Sequence, residues 1–146
     1  MIRTTDITPE LFAQFVRESG VGKWFVEDGD GSDFDMDDVP GSVYGAAIGL
    51  DTMMVFAAQP LNSAAMHLHI AAHPEQNAQA PLAARECLAH VRRVVGKDVT
   101  LFTFTPSDNE AAQALNKLMG FRHVGTLHGG YRRGVTRLDM EIYEDA

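Results

Sequence analysis

Apolar and polar positions along this chain follow two rhythms, and the points where one yields to the other mark the predicted elements. Met1–Thr5 is short and strand-like. Thr8-Pro9 then reads as a helix N-cap with proline at the first helical position, where a missing N–H costs nothing. Leu11, Phe12, Phe15 and Val16 recur at helical spacing until Gly20 and Gly22 stop the run. Trp24-Phe25 is a brief apolar pair, and Glu27–Pro40 has turn residues and almost no apolar pattern, which predicts a loop. Val43–Leu50, Met53–Gln59 and Ala65–His73 are three apolar runs of strand length, the first two separated by a tight Asp51-Thr52 hairpin.

The second half returns to alternation of helix and strand. Pro81–Val95 carries one apolar stripe (Ala84, Cys87, Leu88, Val91, Val94, Val95), and Gly96 is in place as its C-terminal cap. Val99–Thr105 is β-branched and aromatic, Glu110–Met119 is helical and ends at Gly120, and Phe121–Leu127 and Val135–Tyr143 read as two strands joined near Gly129–Gly134. Thr136, Leu138, Met140 and Ile142 alternate with Val135, Arg137, Asp139 and Glu141, as in a half-buried strand. The order predicts one α/β domain over residues 1–146, with a mixed central sheet and helices on both faces.

Composition narrows the function classes. With 45% apolar and 22% charged residues, the 146-residue chain can bury a single core. No apolar run approaches the roughly 20 residues of a membrane span, and the N-terminus lacks the pattern of a secretory signal. One cysteine, Cys87, cannot form an internal disulfide, so a reducing cytoplasm is the expected compartment. Twenty acidic against 12 basic residues give −8, and seven of the acidic ones fall between Glu27 and Asp38 with no basic residue among them. Such a chain repels nucleic-acid backbones and anionic lipid and suits a cationic partner.

Several constellations carry candidate chemistry. His67, His69, Ala71 and His73 share one face of their predicted strand. A histidine there could deprotonate an amine, or it could simply be packed on a sheet face; His67-x-His69 could also start a zinc site, for which no third ligand is visible. Asp33-x-Asp35-x-Asp37 opens like a calcium loop but has Asp38 where glycine is needed and Tyr44 where glutamate is needed. Arg132, Arg133 and Arg137 could bind an anion or merely charge a hairpin edge. Cys87 lies on an apolar stripe and reads as an inert buried thiol, and Trp24 and the phenylalanines read as core.

Two segments add a resemblance. Asn109, Ala112, Leu115, Gly120 and Phe121 match the N-x-x-A-x-x-L-Y-x-K-x-G-F run of the GNAT superfamily of N-acetyltransferases, with Lys117 one place before its lysine, and Ile70–Glu75 is similar to its L-A-V-H-P-E strand ending. The resemblance implies a sheet of six to seven strands, with acetyl-CoA lying where two neighbouring parallel strands splay apart. It therefore requires Val99–Thr105 to pair with the Ala65–His73 strand. It implies backbone contacts to pantetheine from Ala71, Ala72 and His73, with Asn109 near the same arm. Pyrophosphate is expected on Asn77, Ala78, Gln79, Ala80 and Leu82, at the start of the next helix, where free N–H groups favour an anion. His69 is the implied base.

Two features depart from the family pattern. The phosphate segment contains no glycine and includes Pro81, and Asn116 stands where the family's proton-donating tyrosine is usual. An amide cannot release a proton at neutral pH. The leading expectation is acetyl transfer from acetyl-CoA to a small-molecule or peptide amine, with no metal, nucleic acid or membrane involved. Exposed edge strands in this fold often pair between subunits, which leaves room for a homodimer. The competing expectation is a non-catalytic GNAT-fold binding or assembly protein, resembling small members encoded by tailed phages.

Overall fold

The computed structural model describes residues 1–145 as a seven-stranded sheet. In chain order the elements are β1 (Arg3–Asp6), α1 (Pro9–Glu18), a short 3-10 helix (Gly22–Trp24), β2 (Val43–Gly49), β3 (Thr52–Pro60) and β4 (Ala65–Asn77). They continue with α2 (Ala80–Val95), β5 (Thr100–Pro106), α3 (Glu110–Leu118), β6 (Arg122–Arg133) and β7 (Thr136–Asp145). The strand order is β1-β2-β3-β4-β5-β7-β6, antiparallel except for the parallel β4–β5 pair.

The elements form for local reasons visible in the chain. Thr8 Oγ1 accepts from Leu11 N–H at 3.2 Å and starts α1, while Asn109 Oδ1 accepts from Ala112 N–H at 3.2 Å and starts α3. Gly96, at φ +80°, ends α2 in a conformation that other residues rarely adopt. α1 lays Phe12, Ala13 and Val16 on one sheet face against Tyr44, Val55 and Ala57. α2 covers the other face with Ala83, Ala84, Cys87 and Val91, against Met54, Phe56, Leu68 and Leu101. Each large side chain fully buried this way contributes roughly 1.5–3 kcal/mol. Cys87 is sealed in that layer and burial pushes its thiol up, which leaves it inert.

Three predicted boundaries shift. The strand expected to end at His73 runs on to Asn77, because a register shift near Met54 lets Asn77 pair with Thr52. The next helix accordingly begins at Ala80, so the expected Asn77–Leu82 segment reduces to a strand end, a two-residue turn and a first helical turn. β6 extends past Leu127 to Arg133, with two irregularities, the second of which absorbs Gly129 and Gly130 and leaves Gly134 to form the turn.

Candidate functional site

β4 and β5 are paired at only three positions, Ala65↔Thr100, Met66↔Leu101 and His67↔Phe102. Beyond His67 each strand stays with its other neighbour: β4 follows β3 as far as Thr52↔Asn77, and β5 follows β7 as far as Pro106↔Met140. The sheet therefore opens along a seam, with backbone groups of β4 unpartnered on that edge. A cavity of about 400 Å³ fills the opening. His67, His69 and Phe104 line it from the α1 face, and Ala112, Leu115 and Asn116 line it from α3 on the opposite face. The opening passes through the sheet.

On the α1 face the two imidazoles lie with ring centroids 4.0 Å apart, and His67 stacks flat on Phe102 at 5.1 Å. Burial pushes His67 down to about 4. Burial, reinforced by His67, pushes His69 down to about 3. Both rings are neutral at pH 7. A neutral imidazole still accepts a hydrogen bond, but it is too weak a base to hold a proton taken from an ammonium.

The acidic segment forms the wall beside them: Phe34, Asp35, Met36 and Asp37 line the cavity. It has no regular structure yet is tied at many points. Arg17 Nη1 donates to Phe34 O at 2.7 Å, Gln59 Nε2 to Asp37 O at 2.7 Å, and Tyr131 Oη to Val26 O at 2.7 Å. One of the three hairpin arginines serves the same end and the other two are held elsewhere. Arg132 sits 3.6 Å from Asp28, and Arg133 pairs with Asp108 while covering Trp24 at 4.8 Å. Arg137 donates to Gly129 O at 3.0 Å. None of the three forms a free anion patch. Trp24, expected in the core, lines the cavity instead, and Phe104 is 39% exposed beside His67.

On the α3 face Asn116 Nδ2 donates to Thr105 Oγ1 at 3.0 Å, and both residues line the opening although they are 6% and 4% exposed. Asn109 also lines it while capping α3.

Of the residues singled out in the sequence, His69 and Asn109 thus reach the cavity. Ala71, Ala72, His73, Asn77, Ala78, Gln79, Ala80 and Leu82 do not. Ala71 packs under α1 and Ala72 against the α2 layer. His73 turns toward Phe15, and its Nδ1 accepts from the N–H groups of Glu75 and Gln76, both at 3.1 Å. Ala78 N–H donates to Asp51 O at 3.3 Å and Gln79 N–H to Thr52 Oγ1 at 2.9 Å. Pro81 has no N–H, so Ala80 and Leu82 keep the amides left for an anion there. Sequence reasoning missed His67 as a stacked partner, Thr105, and the aromatic wall. Only the alternation of His67 with His69 could have pointed to the first.

No protein-family model matches the sequence, and no curated protein does. Solved structures do match, over nearly the full length of both chains. An acetyltransferase of the GNAT family from Streptococcus pneumoniae superposes at TM-score 0.71 with 12% identity, covering 99% of this chain and 98% of its own. The fold is that of the GNAT acetyltransferases. The spermidine N-acetyltransferase from Vibrio cholerae, solved with CoA and spermine, gives TM-score 0.74 at 10% identity over 99% and 94%. NAA60 of Arabidopsis thaliana, solved with acetyl-CoA, gives 0.65 at 18% over 99% and 98%. At these identities the likeness is one of fold.

The opening in this GNAT fold fits the thioester end of such a donor. It crosses the sheet and offers unpaired strand edge. At the α2 start the fit is thinner, since four of the amides between Glu75 and Gln79 are already spent within the chain. Among the described residues no helix is long and apolar enough to cross a membrane, and no group of three or more metal-binding side chains comes together.

Proposed function

We propose that the chain is an N-acetyltransferase that moves acetyl from acetyl-CoA to an amine. The observation that carries this reading is the seam between β4 and β5, open after His67↔Phe102 and traversed by a cavity that reaches both faces. A thioester arm lying along the unpaired edge of β4 from the α3 face, and an amine arriving from the α1 face, would meet inside the opening. Positioning of this kind lowers the barrier by converting a bimolecular step into a near-unimolecular one.

The chain's residues then divide the work. The β4 edge from Leu68 to Ala72 would pair with the amide groups of pantetheine, with Asn109 beside it. Ala80 and Leu82 would hold the diphosphate. Asp35 and Asp37 on the cavity wall would attract a cationic acceptor, and loss of its proton falls to that solvated wall. His69 is offered as the neutral acceptor that receives a hydrogen of the attacking amine and aims its lone pair at the carbonyl. The bound coenzyme supplies the activated acetyl group, and the chain supplies orientation and exclusion of water.

A non-catalytic protein on the same fold is the second reading, and the spent amides of Ala78 and Gln79 are what favour it. Calorimetric titration with acetyl-CoA and with CoA separates the two. Micromolar binding, followed by amine-dependent release of free thiol with a polyamine or a peptide N-terminus, supports transfer. No heat at millimolar ligand would retire it.

A further inference from the structure

Thr105 and Asn116 form a buried polar pair that no fold requirement explains. Thr105 sits on β5 on the same face as Leu101, and Asn116 sits on α3 in the apolar layer beside Leu115 and Met119. The pair's own hydrogen bond uses one Asn116 N–H and a lone pair of the Thr105 hydroxyl. The hydroxyl proton has no acceptor among the described residues. The charged group opposite it on β7, Glu141, is taken by Thr126 at 2.9 Å and His123 at 2.6 Å. The titratable groups lining the opening from its other side are His67 and His69, both neutral, with Asp35, Asp37 and Tyr131 on the wall beyond them. Exchanging the amide's oxygen and nitrogen only swaps the roles, since Thr105 would then donate to Asn116 and the amide N–H would be left over. In either arrangement a buried donor faces the opening, and a buried donor without a partner is costly unless a ligand supplies the acceptor.

We infer that the Thr105–Asn116 pair donates a hydrogen bond to the sulfur of the donor thioester as it departs, an inference that rests on the transfer reading above. The amine nitrogen attacks the carbonyl carbon, the C–N bond forms, and the C–S bond breaks with its electron pair leaving on sulfur. The proton lost from nitrogen goes to solvent. Thr105 stays protonated throughout: its O–H stabilises the thiolate charge by hydrogen bonding in a water-poor seam, where such a bond is worth more than in water. Thr105 is then a catalytic residue, and Asn116 a positioning residue that occupies its lone pair.

Coenzyme A itself is the probe, because its free thiol reports the same bond without any acceptor amine. Its ionisation, followed by thiolate ultraviolet absorbance below the range of tyrosine ionisation, is compared free and bound; Cys87 stays protonated and silent. The expected result is a bound thiol pKa about one unit lower than in free coenzyme A, a tenfold larger thiolate fraction. Thr105→Val should return it to the free value, and Thr105→Ser should keep the shift. Asn116→Leu should lose at least half of it with Thr105 in place. A bound thiol that ionises at or above its free value, or one that Thr105→Val leaves unmoved, overturns the inference while leaving transfer standing. Absence of coenzyme A binding by the unaltered protein overturns the transfer reading and this inference with it.

Discussion

The middle of β4 and its far end differ in where their hydrogen bonds go. Beside His67 and His69 the strand loses its β5 partner, and a buried hydroxyl proton waits across the seam at Thr105. Ten residues on, at the start of α2, the chain consumes its own donors: His73 takes Glu75 and Gln76, and the β2–β3 turn takes Ala78 and Gln79. Both places are polar backbone near a cleft. The first leaves a run of strand edge for a ligand to satisfy and the second only the amides of Ala80 and Leu82, so recognition of a thioester donor should concentrate at its acyl end rather than at its diphosphate.

The contrast breaks most directly by filling the seam. Ala112→Phe places a ring in the opening from α3 and should lower acetyl-CoA affinity at least about a hundredfold with the fold retained, as seen by calorimetry alongside circular dichroism. Retained affinity would mean the donor does not use the seam. Next in size is the worth of the diphosphate. With two amides left to it, and about tenfold or somewhat more for each charge-assisted bond, acetyl-CoA should bind on the order of a hundredfold more tightly than S-acetylpantetheine. A much larger gap would show that the α2 start rearranges on binding.

A smaller effect tests the self-satisfied end. Thr52→Val removes the acceptor of Gln79 N–H at a residue 1% exposed, and should cost about 1–3 kcal/mol in urea denaturation. Coenzyme A affinity should move far less than it does in Ala112→Phe. A last test is the pH dependence of stability. His67 and His69 ionise near 4 and 3 in the fold but near 6.5 when unfolded. Below about pH 6.5 the unfolded chain takes up protons that the folded one refuses, so stability falls with pH down to about 4 and the loss slackens below. His69→Gln should flatten that part of a melting-temperature profile. An unchanged slope would place the proton uptake elsewhere.

Much of the architecture was legible because its causes are local. Thr8-Pro9 and Asn109 cap helices with their own side chains, and the apolar stripe of α2 matches the layer it buries. The parallel pairing of β4 with β5, required by the resemblance to the GNAT superfamily, is present. The end of β4 was misplaced because Asn77 looks like loop by type. What makes it strand is Thr52, 25 positions earlier, through a pairing no local pattern records.

The site was less legible for the same reason. His69 and Asn109 could be named from strand alternation and a motif, and both reach the cavity. The reading of His69 as a base assumed an ordinary imidazole, and that depends on surroundings. Phe25 packs against His69 and Phe102 against its neighbour His67, both from distant segments, and burial among them keeps the ring neutral. Trp24 looked like core because large aromatics usually are, but Arg133 and the tethered acidic wall hold it at the cavity.

By itself the sequence determined which segments are helix and strand, which faces are apolar, and that the acidic charge gathers in one stretch, since propensity, capping and periodicity act over a few residues. The tertiary structure alone decided where the sheet opens, which amides are spent, and which buried proton lacks a partner. Those are properties of hydrogen-bond accounting over the whole fold: apart from the two amides that His73 takes from its near neighbours, each depends on groups far apart in the chain being brought together.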